Sequence, residues 1–171
     1  LDHLPDDIYV KDTEARFLLA NTPAAHVRGA TTPEELVGKT DFDFFPLELA
    51  ERYAADERRV IESGQALHNR EESYSDRETG ATLWNLTTKI PFRDSQGNIA
   101  GLVGISRDIT ERKQGEEELR ESEERYRAIF EQAPDSIVLV DIDTGAFVKF
   151  NQKAYEHLGY TYEEFQKLSI A

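Results

Sequence analysis

The sequence predicts an α+β fold, a five-stranded antiparallel sheet with short helices on one face, followed by a long connecting helix. Three observations predict it. Strand and helix patterns run in the order two strands, several helices, three strands. The last strand, Ile99 to Ile109, reads as a continuous apolar run and passes at Asp108-Ile109-Thr110 into a charged helix with almost no turn between. Landmarks near the start of the chain also recur about 129 residues later.

Taken in order, Ile8 to Lys11 and Phe17 to Asn21 form a hairpin, with Asp12 to Ala15 turning the chain. Short helices follow around Pro23 to Arg28, Pro33 to Leu36 and Phe42 to Phe45. Leu47 to Ser63 is a longer helix, because Leu49, Tyr53, Val60 and Ile61 fall near one helical stripe and Gly64 lies just past its end. Strands over about Ala66 to Ser75, Thr82 to Arg93 and Ile99 to Ile109 are separated by turns at Thr79-Gly80 and Asp94 to Asn98. Thr110 offers a hydroxyl N-cap to the helix that follows.

The repeat pairs Pro5-Asp6-Asp7-Ile8-Tyr9-Val10 with Pro134-Asp135-Ser136-Ile137-Val138-Leu139, and Phe17 to Asn21 with Phe147 to Asn151. Gly29 matches Gly159, and Glu34-Glu35-Leu36 matches Glu163-Glu164-Phe165. The second copy stops at Ala171, before any equivalent of the Trp84 and Ile99 strands. Between the copies, Leu119, Tyr126, Ile129 and Phe130 mark a sparse seam along a helix dense in both signs of charge. A short coiled coil and a solvated, unpartnered helix are both open, and Gly115 weakens the helix locally. The division expected is 1–110, a complete domain; 111–130, a connecting helix; and 131–171, the N-terminal part of a second domain.

A formal net charge of −14 argues against a nucleic-acid duct and against docking on anionic lipid. No apolar run approaches membrane-spanning length and no signal-peptide pattern is present, so a cytoplasmic location without membrane contact is expected. The absence of cysteine excludes disulfides, thiolate metal sites and a cysteine nucleophile. Because the chain starts at Leu1, it is expected to be a piece of a longer protein.

Three segments carry a family resemblance: Gly38 to Pro46, Trp84 to Asp94, and Gly101 to Arg112 with its Asp-Ile-Thr ending. With Glu124 to Phe130 leading into the second copy, the chain resembles tandem PAS domains of bacterial signalling proteins, the first complete and the second truncated. The resemblance implies a sensory and signal-relay module upstream of a histidine kinase, as in two-component systems, or of a diguanylate cyclase or chemotaxis-type output. It implies a homodimer, an output domain in the same chain, and signal transfer through Asp108, Ile109, Thr110 and Arg112. This stretch is not expected to be an enzyme.

The strand Leu83 to Ile90 has two faces. One carries Trp84, Leu86, Thr88 and Ile90; the other carries Leu83, Asn85, Thr87 and Lys89. A core reading points the apolar face at the helices. Resemblance to flavin-binding light-oxygen-voltage PAS domains instead implies that Asn85 and Thr87 face a cavity, joined by Ser75 and Ser106. Trp84, Leu86, Ile90 and Ile105 then form an outer docking or dimer face; Ile105 extends that patch and favours this reading.

No cofactor is identifiable. The position matching the reactive cysteine of the light-sensing subfamily is Asp41, which disfavours a flavin adduct, and the long helix lacks the His that haem-binding members use. His3, His26, His68 and His157 read as surface or packing residues, and no metal site is expected. An unknown small molecule is left as the ligand. The pairs Asp41/Asp43 and Glu71/Glu72 lack a neighbouring nucleophile and read as caps and exposed charges, with Asp41 suited to N-cap the Phe42 turn. The alternative function is a ligand-free dimerisation scaffold.

Overall fold

The computed structural model describes residues 4–76 and 79–169. The chain divides into two compact units, residues 1–113 and 114–171. His3 lies outside the described residues.

In the first unit β1 (Asp7–Asp12) and β2 (Phe17–Ala20) form the hairpin, α1 (Thr22–Val27) follows, and two 3-10 turns lie at Pro33–Leu36 and Asp41–Asp43. Then come α2 (Leu47–Ser63), β3 (Leu67–Ser75), β4 (Thr82–Arg93) and β5 (Ile99–Asp108). The sheet order is β2-β1-β5-β4-β3, antiparallel throughout. The first hairpin therefore joins the three later strands through β1 and β5.

Asp12 makes the first turn tight. Its carboxylate accepts from the amides of Glu14 and Arg16, holding the chain where Ala15 takes a left-handed φ of 61°. α2 ends as its Gly64 implies: Gly64 adopts φ 65° and donates its amide to the Val60 carbonyl. The apolar core gathers Tyr9, Phe17, Ala25, Ala30, Leu36, Val60 and Leu102.

The register explains one glycine. Tyr9 pairs with Gly104 across β1 and β5, and the Tyr9 ring lies over the glycine. A Cβ there would stand 2.2 Å from the ring, and the ring is buried on all sides.

Two expectations need correction. The N-cap of the turn at Asp41–Asp43 is Thr40, whose amide is held by Asp43 Oδ2 at 2.8 Å; Asp41 points inward and is buried. Thr110 is the first residue of α3 (Thr110–Gln132), and its hydroxyl serves another element: it accepts the Trp84 amide of β4 at 2.9 Å.

In the second unit, β6 (Val138–Val140) and β7 (Phe147–Phe150) pair as a two-stranded sheet, followed by α4 (Gln152–Glu156) and α5 (Tyr162–Phe165). The repeat holds to the level of single hydrogen bonds. Asn21 accepts the Ile8 amide, caps α1 at Ala24 and donates to the Asp6 carbonyl. Asn151 does the same with Ile137, Ala154 and Asp135. Asn151 also donates to the Phe130 carbonyl at 3.0 Å, so the hairpin is fastened to the end of α3. Phe130 is buried there, whereas Leu119, Tyr126 and Ile129 are exposed.

Gly104→Ala should lower the unfolding free energy by about 1–3 kcal/mol, the range for overpacking a filled core. Urea denaturation followed by far-UV circular dichroism measures it; an unchanged midpoint contradicts the packing described.

Candidate functional site

Between the sheet and the helices the first unit contains charge where an apolar core would be simplest. Strand alternation puts Asp7, Tyr9 and Lys11 of β1 on the helix side, with Thr87 and Lys89 of β4 and Ser106 of β5. From the other layer come Arg28 just after α1, Asp41, and Glu57 of α2. Lys11 is 0% exposed and Glu57 1%.

These groups are satisfied mostly by one another. Lys11 Nζ donates to Asp41 Oδ2 at 2.5 Å and to Glu57 Oε1 at 2.7 Å. Lys89 Nζ lies 3.7 Å from the same Glu57 oxygen. Arg28 donates to Asp7 Oδ2 at 3.0 Å and to the Ala24 carbonyl at 2.9 Å, and its Nε stands 3.5 Å from Asp41 Oδ1. The cations also rest on aromatic faces. Lys11 Nζ is 4.3 Å from the Phe17 centroid, and the Arg28 guanidinium is 4.8 Å from both Tyr9 and Phe17.

Unpaired, such charges would cost several kcal/mol each, so each depends on its neighbours. The carboxylates respond differently. Burial raises Asp41, but Lys11 and Arg28 outweigh it and hold its carboxyl below the ordinary value of 3.8. Glu57 is raised above 4.5 by burial and by the Asp41 charge, although Lys11 and Lys89 oppose this. Asp7 is raised by burial despite Arg28. Arg28 loses by burial and gains more from Asp7 and Asp41, so it stays charged.

Beside this network lies a small inner chamber of about 20 Å3, room for roughly one water molecule. Asp7, Arg28, Glu72, Asn85, Thr87, Lys89 and Ser106 are on its walls. Thr87 and Ser106 hydroxyls are 3.1 Å apart, as their cross-strand pairing requires. Ser75 is elsewhere: it is exposed at the end of β3 and lines a neighbouring outer pocket of about 590 Å3 with His26, Leu49 and Arg52. Val27 and Phe45 border both cavities.

On the other sheet face, Trp84, Leu86 and Ile105 are partly buried and Ile90 is 42% exposed. The junction sits at this face. Ile109 donates to the Trp84 carbonyl at 2.8 Å, Asp108 Oδ1 accepts the Thr110 amide at 2.7 Å, and Ile109 is buried. Arg112 and Lys113 both reach Glu71 on β3, at 2.7 and 2.6 Å, and Lys113 Nζ lies 5.3 Å from the Trp84 ring. The start of α3 is thus bound to β4 and β3.

A family profile described as PAS fold matches residues 1–114, and one described as PAS domain matches residues 124–170. The chain belongs to the PAS family. Among its relatives is the methanogenesis regulatory histidine kinase FilI of Methanothrix harundinacea, 28% identical over 143 residues. That match takes in 84% of this chain and 16% of FilI. The virulence sensor protein BvgS of Bordetella pertussis is 30% identical over 127 residues, 72% of this chain and 10% of BvgS. The chain thus spans a small part of each. Among solved structures, VqmA bound to DPO superposes with a TM-score of 0.57 at 29% identity, covering 63% of this PAS chain and 54% of that one. A further VqmA structure is described as a Vibrio cholerae dimer. Both matched stretches are PAS sequence, and among the described residues no helix is long and apolar enough to cross a membrane.

The buried ions were not singled out from sequence. A signal existed: Lys89 shares the face of Asn85 and Thr87, and Glu57 sits four residues from both Tyr53 and Ile61 in the α2 stripe. Glu71 is an exposed charge as expected, while Glu72 is buried.

The network's pH dependence follows from its pKa directions. Asp41, held low, contributes stability above its unfolded value that is lost as pH falls through its folded value. Glu57, held high, contributes below its unfolded value and loses this as pH rises through its folded one. Lys11→Met, which removes the cation hydrogen-bonded to both carboxylates and leaves them only the longer contacts to Arg28 and Lys89, should cost about 3–5 kcal/mol at neutral pH. The cost should shrink as pH is lowered and the carboxylates protonate. Urea melts of both proteins across that range test this, and a loss independent of pH contradicts it.

Proposed function

We propose that the chain is a sensory and signal-relay module whose first PAS domain, 1–110, binds a small ligand in the PAS cavity, made of the inner chamber and the outer pocket of about 590 Å3 that Val27 and Phe45 also line. Asn85, Thr87 and Ser106 are its polar contacts, and Ser75 stands at the outer pocket through which the ligand arrives past Val27 and Phe45. Asp108, Ile109, Thr110 and Arg112 transfer the change to the connecting helix, 111–130. It passes on to the second domain, 131–171, and to an output domain of the same chain.

The observation that carries this reading is the bonding of β4. The strand that lines the chamber with Asn85, Thr87 and Lys89 is the strand whose Trp84 amide and carbonyl hold Thr110 and Ile109. A shift of β4 therefore loads the start of α3 directly. The likeness to a histidine kinase, a virulence sensor and VqmA bound to DPO supports a ligand-responsive part within a larger signalling protein. A homodimer through Trp84, Leu86, Ile90 and Ile105 is part of the proposal, supported by their grouping on one sheet face, where Ile90 is exposed and the other three are only partly covered.

A second reading has an observation of its own. The chamber is only about 20 Å3 and its walls are already ion-paired, which suits a ligand-free interaction scaffold. Native mass spectrometry of the purified chain separates the two. Sensing predicts a dimer mass with a stoichiometric small-molecule adduct, and Trp84→Glu should leave monomer. A dimer that carries no adduct, even after incubation with extract metabolites, favours the scaffold. Dimers that survive Trp84→Glu contradict the assigned face.

A further inference from the structure

The outer pocket of about 590 Å3 carries two opposite charges that do not meet. Glu48, Leu49 and Arg52 of α2 line it, and at these spacings they lie on one side of the helix. A glutamate four residues before an arginine is the order that pairs well on a helix. Here Arg52 turns instead to β3 and donates to the Ser73 carbonyl at 3.1 Å. Both side chains are exposed, and among the described residues neither has a charged partner.

This pair selects among ligands. A carboxylate alone would be repelled by Glu48, and an ammonium alone by Arg52. A molecule that carries both charges close together suits both, because side chains four apart on a helix hold their Cβ atoms about 5–6 Å from each other. The remaining wall adds a direction. Val27 and Phe45 line this pocket and the inner chamber alike, so apolar surface leads from the charged pair inward. Tyr74 lines the pocket from β3 and meets the Asn85 side chain, which is on the chamber wall. The volume is within the range of small-molecule sites.

We propose that the ligand of the PAS cavity is an α-amino acid, with its carboxylate on Arg52, its ammonium on Glu48 and its side chain directed past Val27 and Phe45 toward the inner chamber. This rests on the reading of the cavity as a ligand site and adds the class of ligand. An aromatic side chain that ends in a hydroxyl matches the path: the ring lies along Phe45 and Leu49, and the hydroxyl points to Asn85, Thr87 and Ser106.

Isothermal titration calorimetry of the whole chain with tyrosine tests this. Tyramine, which lacks the carboxylate, and hydroxyphenylpropanoate, which lacks the ammonium, are the analogues. Saturable one-to-one binding of tyrosine is expected, with each analogue weaker by about fivefold, the scale of one exposed ion pair. In Arg52→Gln, tyrosine and tyramine should bind alike; in Glu48→Gln, tyrosine and hydroxyphenylpropanoate should. Leu49→Trp, which fills the pocket without changing charge, should abolish binding. Tyramine that binds the wild type as tightly as tyrosine overturns the proposal, because it marks general attraction of a cation to a chain of net charge −14. Tyrosine binding unchanged in Arg52→Gln or Leu49→Trp overturns it as well. Native mass spectrometry of the same protein separates this failure from a failure of sensing. A small-molecule adduct of other chemistry, without tyrosine binding, overturns the amino-acid class and leaves the sensing module standing, whereas neither adduct nor binding overturns both.

Discussion

The complete burial of Lys11 between Asp41 and Glu57 is the interaction on which the first domain depends. A lysine on the inward face of a strand is tolerable only if opposite charge is brought to it from other elements. That requirement fixes the approach of α2 through Glu57 and the inward turn of the Asp41–Asp43 segment. Arg28 extends the arrangement by joining Asp41 to Asp7, and Lys89 brings in β4 through Glu57. One set of ion pairs therefore ties β1, β4, α2 and the segments after α1 and before α2 into a single layer contact. Such a core trades hydrophobic simplicity for dependence on every member, and it makes the interior responsive to anything that adds or removes a charge.

The same strand geometry links this interior to the exit. In β4, alternate residues face the chamber and the outer sheet surface, while the backbone of Trp84 is bonded to both Ile109 and Thr110. The helix start is further held by Arg112 and Lys113 on Glu71. These exposed pairs contribute little energy individually, whereas the backbone bonds and the buried Ile109 set the geometry. The second unit repeats the first hairpin but not its charges. The positions corresponding to Asp7, Lys11 and Arg28 are Ser136, Val140 and Leu158, and the core there is the aromatic group Phe147, Phe150 and Phe165. The two copies share the Asn-centred corner and differ in what fills them.

The order of elements along the chain and most of their boundaries were legible in the sequence, because alternation and turn residues mark them locally: β4 begins at Thr82 and ends at Arg93, the limits its turns imply. The inward facing of Thr87 and Ser106 came from the family resemblance, since alternation groups the residues of a strand by face but leaves open which face turns inward. Depth was not legible. Parity puts Lys11 and Lys89 on the helix side, but only the arrival of Glu57 and Asp41 from distant segments shows that they are buried rather than at an edge. Asp41 illustrates the limit. In Thr40-Asp41-Phe42-Asp43 two acids compete for the capping role; Asp43, three residues after Thr40, reaches back to its amide and frees Asp41 for the interior. Thr110 likewise offered a cap by local pattern, and the long-range bond to Trp84 claimed its hydroxyl instead.

The central claim is that the buried ions and the exit junction form one coupled unit through β4. Amide hydrogen exchange in Lys89→Met, compared with wild type, tests it most directly. The account predicts faster exchange at the Trp84 and Ile109 amides, with the Ile137 amide in the second unit unchanged. Equal exchange at Trp84 and Ile109 in the two proteins, with the fold retained, would contradict it.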